Sequence, residues 1–538
     1  MTDPVNIASQ LSAVATEHPS RPCVISRSAV LSYRDLEEQS NQCASGLRHY
    51  GVENGTRVVM LVRPGIEFVT ISFALAKLGA IAVFVDPRMG LQNVSHCLAE
   101  VRPDGFIGSL QAHIARVALG WARDSTRLCI NVSRVSIPRA LNYEEVLRRG
   151  RPTCLSNSAL VDLDQPAAIV FTSGSTGVPK GVVYTHRMFS AQVALLTDHF
   201  GIQPGEVDLT TFPLFALFNP ALRMTTVFPD IDFTRPGKAD PSTIVRCLKM
   251  HSATHMFGSP ALLDRLSKYG QRTGAKLPTL RRVLVAGAPV SMKTLTVLDK
   301  LLGPEAEIHS CYGATEALPI CSISGRHLLE ETQAHPEKGA CLGVPTKGMS
   351  LAVIRVVDGP IQAWSNDLVM KSGEVGELVV SGANVSCTYW NARENELSKL
   401  PIHGAILHRT GDLGYIDDLG YVWFCGRKSQ RVITPSDTLY TVPCERVFDQ
   451  HPSVRRSALV GVGKPSNQRP VLCVELENGT QRKEIRQIRL ELIKLAERYP
   501  HLRQIETILF HPDFPVDARH NAKIIREKLS IWAAKRIS

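Results

Sequence analysis

Residues 171–186 read FTSGSTGVPKGVVYTH, a glycine-rich stretch between two segments of regular pattern. The apolar run AAIVF at 167–171 predicts a strand, and VYTHRMFSAQVALL predicts a helix after the loop. Gly174, Gly177 and Gly181 permit unusual backbone conformations and let a ligand approach the main chain. The loop also offers hydroxyl groups and one ammonium group, from Thr172, Ser173, Ser175, Thr176 and Lys180. A loop of this composition between a strand and a helix predicts a phosphate-binding site.

The loop does not satisfy the Walker pattern GxxxxGK[ST], because Lys180 follows Pro179 rather than a glycine. An ordinary flexible surface loop is the alternative interpretation. The coincidence of glycines, hydroxyls and a lysine directly after a predicted strand favours the anion site.

The bulk composition is that of a globular protein with two or three domains. The chain has 538 residues, of which 44% are hydrophobic and 21% are charged, with a net charge of +11. Its 13 cysteines form no CxxC pair, which predicts reduced thiols and a cytoplasmic protein rather than a disulfide or zinc framework. The apolar stretch 68–87 contains Lys77 and Gly79, and predicts a buried helix followed by a strand rather than a transmembrane segment.

Strand-like and helix-like patterns alternate along most of the chain. RVVML at 57–61, IAVFV at 81–85 and RRVLVAG at 281–287 predict strands, while PSTIVRCLKMHS at 241–252 predicts a helix. This alternation predicts an α/β fold with largely parallel sheets. The pattern changes near residue 425, and we place a large domain at 1–427 and a small one at 428–538. A basic amphipathic helix at 482–499 is expected to pack its Ile/Leu face on the small domain, with a membrane or partner surface as the alternative.

Four motifs in a fixed order resemble those of the ANL superfamily of adenylate-forming enzymes. They are TSGSTGVPKG, VAGAPV at 285–290, YGATEA at 312–317, and TGDLGYIDDLGYVWFCGRKSQ at 410–430. The resemblance covers nearly the whole chain. It implies a large N-terminal adenylate-forming domain and a small, mobile α+β domain that rotates about 425–432. It also implies ATP and Mg²⁺ as cofactors.

The resemblance also implies a role for individual residues. The phosphates of ATP would meet Thr172, Ser173, Gly174, Ser175, Thr176, Gly177 and Lys180. The adenine side would be formed by Gly287, Ala288, Pro289, Tyr312, Gly313 and Thr315. Asp412 would accept the ribose hydroxyls, Arg427 would bind the ribose or α-phosphate side, and Glu316 with Thr176 would hold Mg²⁺. Lys523 would swing into the site as a catalytic cation, and His520 beside it would either move a proton or hold the loop.

The chain departs from the usual superfamily pattern in its linker and tail. Ser429 and Gln430 follow GRK where coenzyme A (CoA) ligases usually carry an acidic pair, and Pro435 and Ser436 replace a glycine-rich turn. Because that turn lies along the pantetheine path in CoA ligases, its loss argues against thioester formation. The tail PVDARHNAKIIR lacks the usual glycine before Lys523.

A further departure concerns the segment FPLFALFNPALRM at 212–224, where Ala216 stands at a position that many relatives fill with histidine. Its small and apolar residues predict a wide acyl pocket lined by Phe215, Ala216, Leu217 and Phe218. The alternative is a simple core segment, since Phe and Leu are usually buried.

Together, linker and tail are similar to those of a branch of the superfamily that closes β-lactone rings in bacterial long-chain olefin synthesis. The resemblance implies a small-molecule substrate with two alkyl chains, a 2-alkyl-3-hydroxyalkanoic acid. Its own 3-hydroxyl would attack the acyl-adenylate. The rival hypotheses are a long-chain fatty acid:CoA ligase, a non-catalytic nucleotide-binding protein and a nucleic-acid-binding protein. The last lacks any supporting motif. The basic charge is compatible with an assembly of pathway enzymes or with peripheral membrane contact.

Overall fold

The computed structural model describes residues 6–152, 162–172, 178–402, 404–477, 479–516 and 524–537. It confirms the predicted α/β architecture with a large, parallel-rich sheet. The first part of the chain, up to residue 200, contains α1 (Ile7–Glu17), β1 (Pro22–Ile25), β2 (Val30–Ser32), α2 (Tyr33–His49), β3 (Arg57–Leu61), α3 (Ile66–Leu78), β4 (Ile81–Phe84), α4 (Leu91–Val101), β5 (Gly105–Gly108), α5 (Leu110–Leu119), β6 (Leu128–Asn131), β7 (Leu141–Asn142), α6 (Tyr143–Arg149), β8 (Pro166–Thr172), β9 (Lys180–Thr185) and α7 (His186–Phe200).

One sheet is formed entirely from this part, in the order β7-β6-β5-β3-β4-β8-β9. Its first six strands are parallel, and β9 pairs antiparallel with β8 at the edge. The stretch 81–84 is buried throughout, as expected for a parallel strand covered on both faces.

The glycine-rich loop therefore joins two antiparallel strands, and the predicted helix begins at His186, three residues later than the pattern from Val183 indicates. Val182 and Val183 extend β9 and lie opposite Val170 and Ile169 of β8, because β-branched residues favour the pleated sheet. The helix α7 begins only at His186, where the Thr185 side chain caps it by accepting from the Met188 N–H at 3.1 Å. The argument that the loop opens a helix N-terminus consequently does not hold.

The middle of the chain contains β10 (Val207–Leu209), β11 (Thr225–Val227), α8 (Pro241–Met250), β12 (His255–Gly258), α9 (Pro260–Thr273), β13 (Arg282–Val285), α10 (Met292–Leu301), β14 (Glu307–Ala314), β15 (Ala317–Ser324), α11 (Gly325–Ala334), β16 (Ala340–Pro345), β17 (Ser350–Ile354), β18 (Gly376–Ser381), α12 (Arg393–Ser398), β19 (Lys399–Ile402), β20 (Ala405–Ile416) and β21 (Val422–Arg427). Among the described residues these strands join β1 and β2 in a 14-stranded sheet, in the order β17-β18-β20-β21-β16-β15-β14-β13-β12-β10-β11-β1-β2 with β19 beside β20. The run from β1 to β14 is parallel, and from β14 to β17 the pairs are antiparallel.

The last part contains β22 (Val432–Ile433), β23 (Thr438–Leu439), α13 (Thr441–Phe448), β24 (Val454–Lys464), β25 (Asn467–Leu476), α14 (Ile485–Glu497), β26 (Thr507–Phe510) and α15 (Arg526–Ile537). It packs around two hydrophobic clusters whose buried members all lie beyond residue 430. Ile488, Leu492 and Ala496 of α14 are buried there, so this helix turns its apolar face inward. The domain boundary at 427/428 stays a prediction. Among the described helices, none combines the length and the apolar character needed to span a bilayer.

Candidate active site

The site lies where the carboxyl end of β14 meets the strand that follows the glycine-rich loop. The turn at Thr315 and Glu316 joins β14 to β15, and the Tyr184 hydroxyl of β9 donates to the Thr315 carbonyl at 2.6 Å. The Ser386 N–H donates to the Glu316 carbonyl at 2.8 Å. The Tyr184 bond, together with the Ser386 hydroxyl that donates to the Val183 carbonyl at 2.8 Å, connects the two large sheets. They place the YGATEA motif beside β9, at the sheet edge where ligands of α/β proteins usually bind.

Tyr312, Asp412 and Arg427 form one polar cluster of a hydrogen bond and an ion pair, although up to 115 positions separate them in the sequence. The Tyr312 hydroxyl donates to Asp412 Oδ2 at 2.6 Å, and Arg427 Nε lies 2.9 Å from Asp412 Oδ1. Asp412 and Arg427 are cross-strand partners in β20 and β21. Asp412 is only 5% exposed. The cluster brings together the residues predicted for adenine and ribose, and fixes the carboxylate between a phenol and a guanidinium group.

The Asp412 carboxylate also raises the pKa values of Tyr312 and Arg427. Burial, followed by the nearby Asp412 charge, raises the pKa of Tyr312 well above its ordinary value. The same carboxylate raises the pKa of Arg427. Tyr312 is therefore a neutral donor and Arg427 a permanent cation at any physiological pH.

The turn Gly287–Pro289 follows the carboxyl end of β13, the strand next to β14. Gly287 has a φ of +91°, a conformation that side-chain-bearing residues rarely adopt. Gly287 and Pro289 are exposed and Ala288 is half-buried, so their backbone is accessible at the same sheet edge as Tyr312. Gly313 is half-buried, and a Cβ there would lie 2.9 Å from the Ala317 carbonyl oxygen.

The lysine of the glycine-rich loop has an anionic partner within the protein. Lys180 Nζ lies 2.5 Å from Glu394 Oε2, and both side chains are largely shielded from solvent. Thr172, the last residue of β8, is directly opposite Lys180 in the strand pair. The predicted phosphate ligands Ser173, Gly174, Ser175, Thr176 and Gly177 lie outside the described residues.

Three side chains that sequence analysis did not single out complete the site: Tyr389, Glu394 and Lys399. The Tyr389 hydroxyl donates to Glu316 Oε1 at 2.7 Å. Lys399 Nζ lies 5.0 Å from the centre of the Tyr389 ring and donates to the Ser386 carbonyl. Burial lowers the pKa of Lys399 to about 8, against the opposing effect of the Glu316 charge. No spacing rule indicates these residues, because their partners in the site are distant in sequence.

The residues predicted for the acyl pocket lie on a 3₁₀ helix, Pro213–Leu217, and just after it. Ala216, Leu217 and Phe218 are buried in the hydrophobic core, whereas Phe215 is half-buried and packs edge-on against Phe257 with ring centres 4.8 Å apart. This packing agrees with the core alternative as well as with a pocket wall. The acyl pocket stays a prediction.

The linker after β21 is compact. In the hairpin β22–β23, the Thr434 N–H donates to the Asp437 carbonyl at 2.9 Å and the Asp437 N–H donates to Thr434 Oγ1 at 3.0 Å. The side chain of Thr434 thus closes a tight turn without glycine. The argument that loss of the glycine-rich turn at Pro435 and Ser436 disfavours thioester formation stays a prediction. Lys523 and His520 of the tail lie outside the described residues.

Glu316 is the carboxylate of the site that could bind Mg²⁺. Mg²⁺ keeps several waters and is held in nucleotide sites by one or two carboxylates together with phosphate oxygens. Glu316 is half-buried beside Tyr389, which engages only its Oε1 atom. Within the described ranges no cluster of three His, Cys, Asp or Glu side chains could hold a metal on its own. One available carboxylate therefore fits a cation that arrives with ATP. The second predicted ligand, Thr176, lies outside the described residues.

Comparisons with known proteins agree with this arrangement. The chain is 42% identical to the olefin beta-lactone synthetases of Xanthomonas campestris pv. campestris and Stenotrophomonas maltophilia, over 99% of its own length and 98% and 99% of theirs. Its fold is similar to that of the amide bond synthetase McbA from Marinactinospora thermotolerans, with a TM-score of 0.81 at 21% identity, covering 98% of this chain and 99% of that one. The family model described as AMP-binding enzyme matches residues 11–390. The chain belongs to this family of AMP-binding, adenylate-forming enzymes.

Proposed function

We propose that this protein converts a 2-alkyl-3-hydroxyalkanoic acid into a β-lactone at the expense of ATP, as an AMP-forming ligase. The observation that carries the proposal is the 42% identity to two olefin beta-lactone synthetases over nearly the whole length of each chain. The cluster of Tyr312, Asp412 and Arg427 supports nucleotide binding at the site.

The proposed reaction has two steps. The substrate carboxylate attacks the α-phosphorus of ATP, so that a mixed anhydride forms and pyrophosphate leaves. The substrate's own 3-hydroxyl oxygen then attacks the carbonyl carbon, the bond to AMP breaks, and one proton is released. An internal nucleophile is held at high effective concentration, so that no second substrate has to bind.

Individual residues of the chain have proposed roles in the first step. Asp412 accepts the ribose hydroxyls, and Arg427 supplies fixed N–H donors to the ribose or α-phosphate side. Lys180 exchanges its contact with Glu394 for a phosphate oxygen. Bound at Glu316, Mg²⁺ would neutralise part of the triphosphate charge. Lys523 and His520 of the tail keep their proposed catalytic roles, and the mobile unit 428–538 would deliver them.

The second step requires that water be kept away from the acyl-adenylate. The apolar residues Phe215–Phe218 and the surrounding aromatic side chains would form the wall against the two alkyl chains. Phe189 and Phe218 lie 5.7 Å apart between their ring centres, and Tyr184 lies 5.2 Å from Phe189. These contacts form an apolar path that starts at the Thr315 carbonyl, which Tyr184 binds.

A long-chain fatty acid:CoA ligase is the second candidate. The observation that favours it is 26% identity to a 2-succinylbenzoate--CoA ligase of Bacillus cereus, over 82% of this chain and 83% of that protein. Both candidates share the adenylation step and differ in the acceptor. Association with other enzymes of the pathway and contact with a membrane surface stay predictions from the basic charge.

The test uses purified protein, Mg·ATP and a synthetic 2-alkyl-3-hydroxy fatty acid without CoA. We expect AMP release together with the ring-proton signals of a β-lactone in the proton NMR spectrum of the extract. The variant Lys523→Ala is the control, with AMP formation lost and ATP binding retained. AMP release only with a plain fatty acid and CoA would contradict the proposal and identify a ligase.

A further inference from the structure

Glu316 is held by one side chain. Among the residues that the structure describes, only Tyr389 hydrogen-bonds its carboxylate, with the hydroxyl donating to Oε1 at 2.7 Å. Glu316 lies at a turn between two strands and is half-buried. The direction of the carboxylate is therefore set by Tyr389.

Tyr389 is in turn fixed to the strand that carries Lys180. Its N–H donates to Asn395 Oδ1 at 2.8 Å, and the Trp390 N–H donates to the Gly181 carbonyl at 2.7 Å. Tyr389 also forms a bridge with Val182 of β9 and is only 4% exposed. The phenol is thus a rigid connection between the strand after the glycine-rich loop and the carboxylate across the site.

Two ammonium groups lie near the Tyr389 ring. Lys180 Nζ is 5.7 Å and Lys399 Nζ is 5.0 Å from its centre, within the range of cation–π attraction. A phenol hydroxyl donates to an ionised carboxylate, which can only accept. The hydrogen bond between Tyr389 and Glu316 therefore has a single direction, from the hydroxyl to the carboxylate.

We propose that Tyr389 is a positioning residue for the divalent cation of Mg·ATP, acting through Glu316. Its hydroxyl occupies Oε1 and leaves Oε2 as the oxygen available to the cation. Outer-sphere partners that orient a metal-binding carboxylate typically contribute 10–100-fold to metal affinity. The inference rests on the proposed role of Glu316 as the Mg²⁺ ligand, but not on which acid the enzyme activates.

The variant Tyr389→Phe tests the proposal, because it removes the hydroxyl and keeps the ring. We would measure Mn²⁺ binding in the presence of a non-hydrolysable ATP analogue, from the electron paramagnetic resonance signal of free Mn²⁺. The expected result is an affinity for Mn²⁺ that is about 10-fold weaker. Binding of the same analogue without metal should be unchanged. Mn²⁺ affinity within twofold of the unmodified protein would overturn the proposal.

Tyr33→Phe is the matched control. Tyr33 is also fully buried, and its hydroxyl donates to the Met224 carbonyl at 2.9 Å, remote from Glu316. This variant should lose a buried hydrogen bond without loss of Mn²⁺ affinity. An equal loss in both variants would indicate a general effect of destabilisation and contradict the proposal.

A double-mutant cycle with Glu316→Gln separates positioning from simple packing. If Tyr389 acts through the carboxylate, Tyr389→Phe should not weaken Mn²⁺ binding further once Glu316 is replaced. Additive losses would refute the coupling. An unchanged Mn²⁺ affinity of Glu316→Gln would refute the metal assignment itself. Neither outcome depends on lactone formation, so failure of the proposed function is detected separately by the NMR assay.

Discussion

Asp412→Asn is the substitution that most directly tests how the nucleotide is held. The amide has the same shape as the carboxylate, but it replaces one acceptor oxygen by an NH₂ group and removes the charge. In the structure one oxygen accepts from Tyr312 at 2.6 Å and the other lies 2.9 Å from Arg427 Nε. An asparagine can satisfy the first contact, whereas its NH₂ group would face the guanidinium group. The ribose hydroxyls would then lose a charged acceptor.

The expected magnitude follows from the number of charged hydrogen bonds lost. A hydrogen bond to an ionised group contributes about 1.5–3 kcal/mol, which corresponds to roughly a 10- to 150-fold change in dissociation constant. The loss of the ion pair itself adds little, because the Arg427 side chain is 35% exposed and water can solvate it. We therefore expect nucleotide affinity to fall by one to two orders of magnitude, with the fold retained.

Calorimetric titration with a non-hydrolysable ATP analogue and its 2′,3′-dideoxy form measures this effect. The unmodified protein should prefer the ribose form, and Asp412→Asn should bind both forms equally weakly. Asp417→Asn is the control, since Asp417 lies just beyond the same strand and accepts from the Trp423 Nε1–H at 2.8 Å. It should keep the preference for ribose. A preserved preference in Asp412→Asn would refute the assignment of Asp412 to the ribose.

Two further predictions concern stability. Glu377 is 1% exposed and lies 2.6 Å from Arg409 Nη2 and 3.0 Å from Lys428 Nζ, so Glu377→Gln would leave buried cations unpaired. We expect a loss of about 3 kcal/mol in the free energy of unfolding by urea, and an unchanged midpoint would contradict this. Burial raises the pKa of Asp449 from 3.8 to about 7, so the folded state binds more protons between these values and its stability should fall as the pH rises through them. Asp449→Asn should flatten this decline in urea titrations from about pH 4 to pH 8, and an unaltered slope would contradict the assignment.

The strands of the large domain could be predicted because parallel strands are buried on both faces. The run RVVML at 57–61 coincides with β3, and RRVLVAG contains β13, since a continuous apolar run leaves few alternatives. The segment 180–185 could not be assigned in the same way. Its β-branched residues pair with β8, but the helix that follows continues the apolar pattern, so no periodicity marks the boundary at His186.

From the sequence, only those residues of the candidate site that belong to a motif could be predicted. Tyr312, Asp412 and Arg427 each belong to a quoted motif, and the structure joins them through a hydrogen bond and an ion pair that the resemblance alone does not specify. Tyr389 lies 73 positions from its partner Glu316, in a segment of ordinary composition. Its role depends on which strand lies beside it. The residues adjacent to Tyr389 in the sequence do not indicate that neighbouring strand.

One counter-charge of the site, Glu394, lies outside the sequence motifs, whereas Asp412 lies within one. Lys180 is paired with Glu394, and Arg427 is paired with Asp412, so the cations expected to bind phosphate and ribose already have anionic partners within the chain. Lys180 is largely buried and would be costly without an anionic partner, and Glu394 offsets that cost. Nucleotide phosphates must therefore compete with Glu394 for Lys180, and binding exchanges one ion pair for another. The net affinity for ATP then depends on the difference between the two pairs. This difference is small compared with either pair alone, so side chains outside the motifs determine how tightly the motif binds.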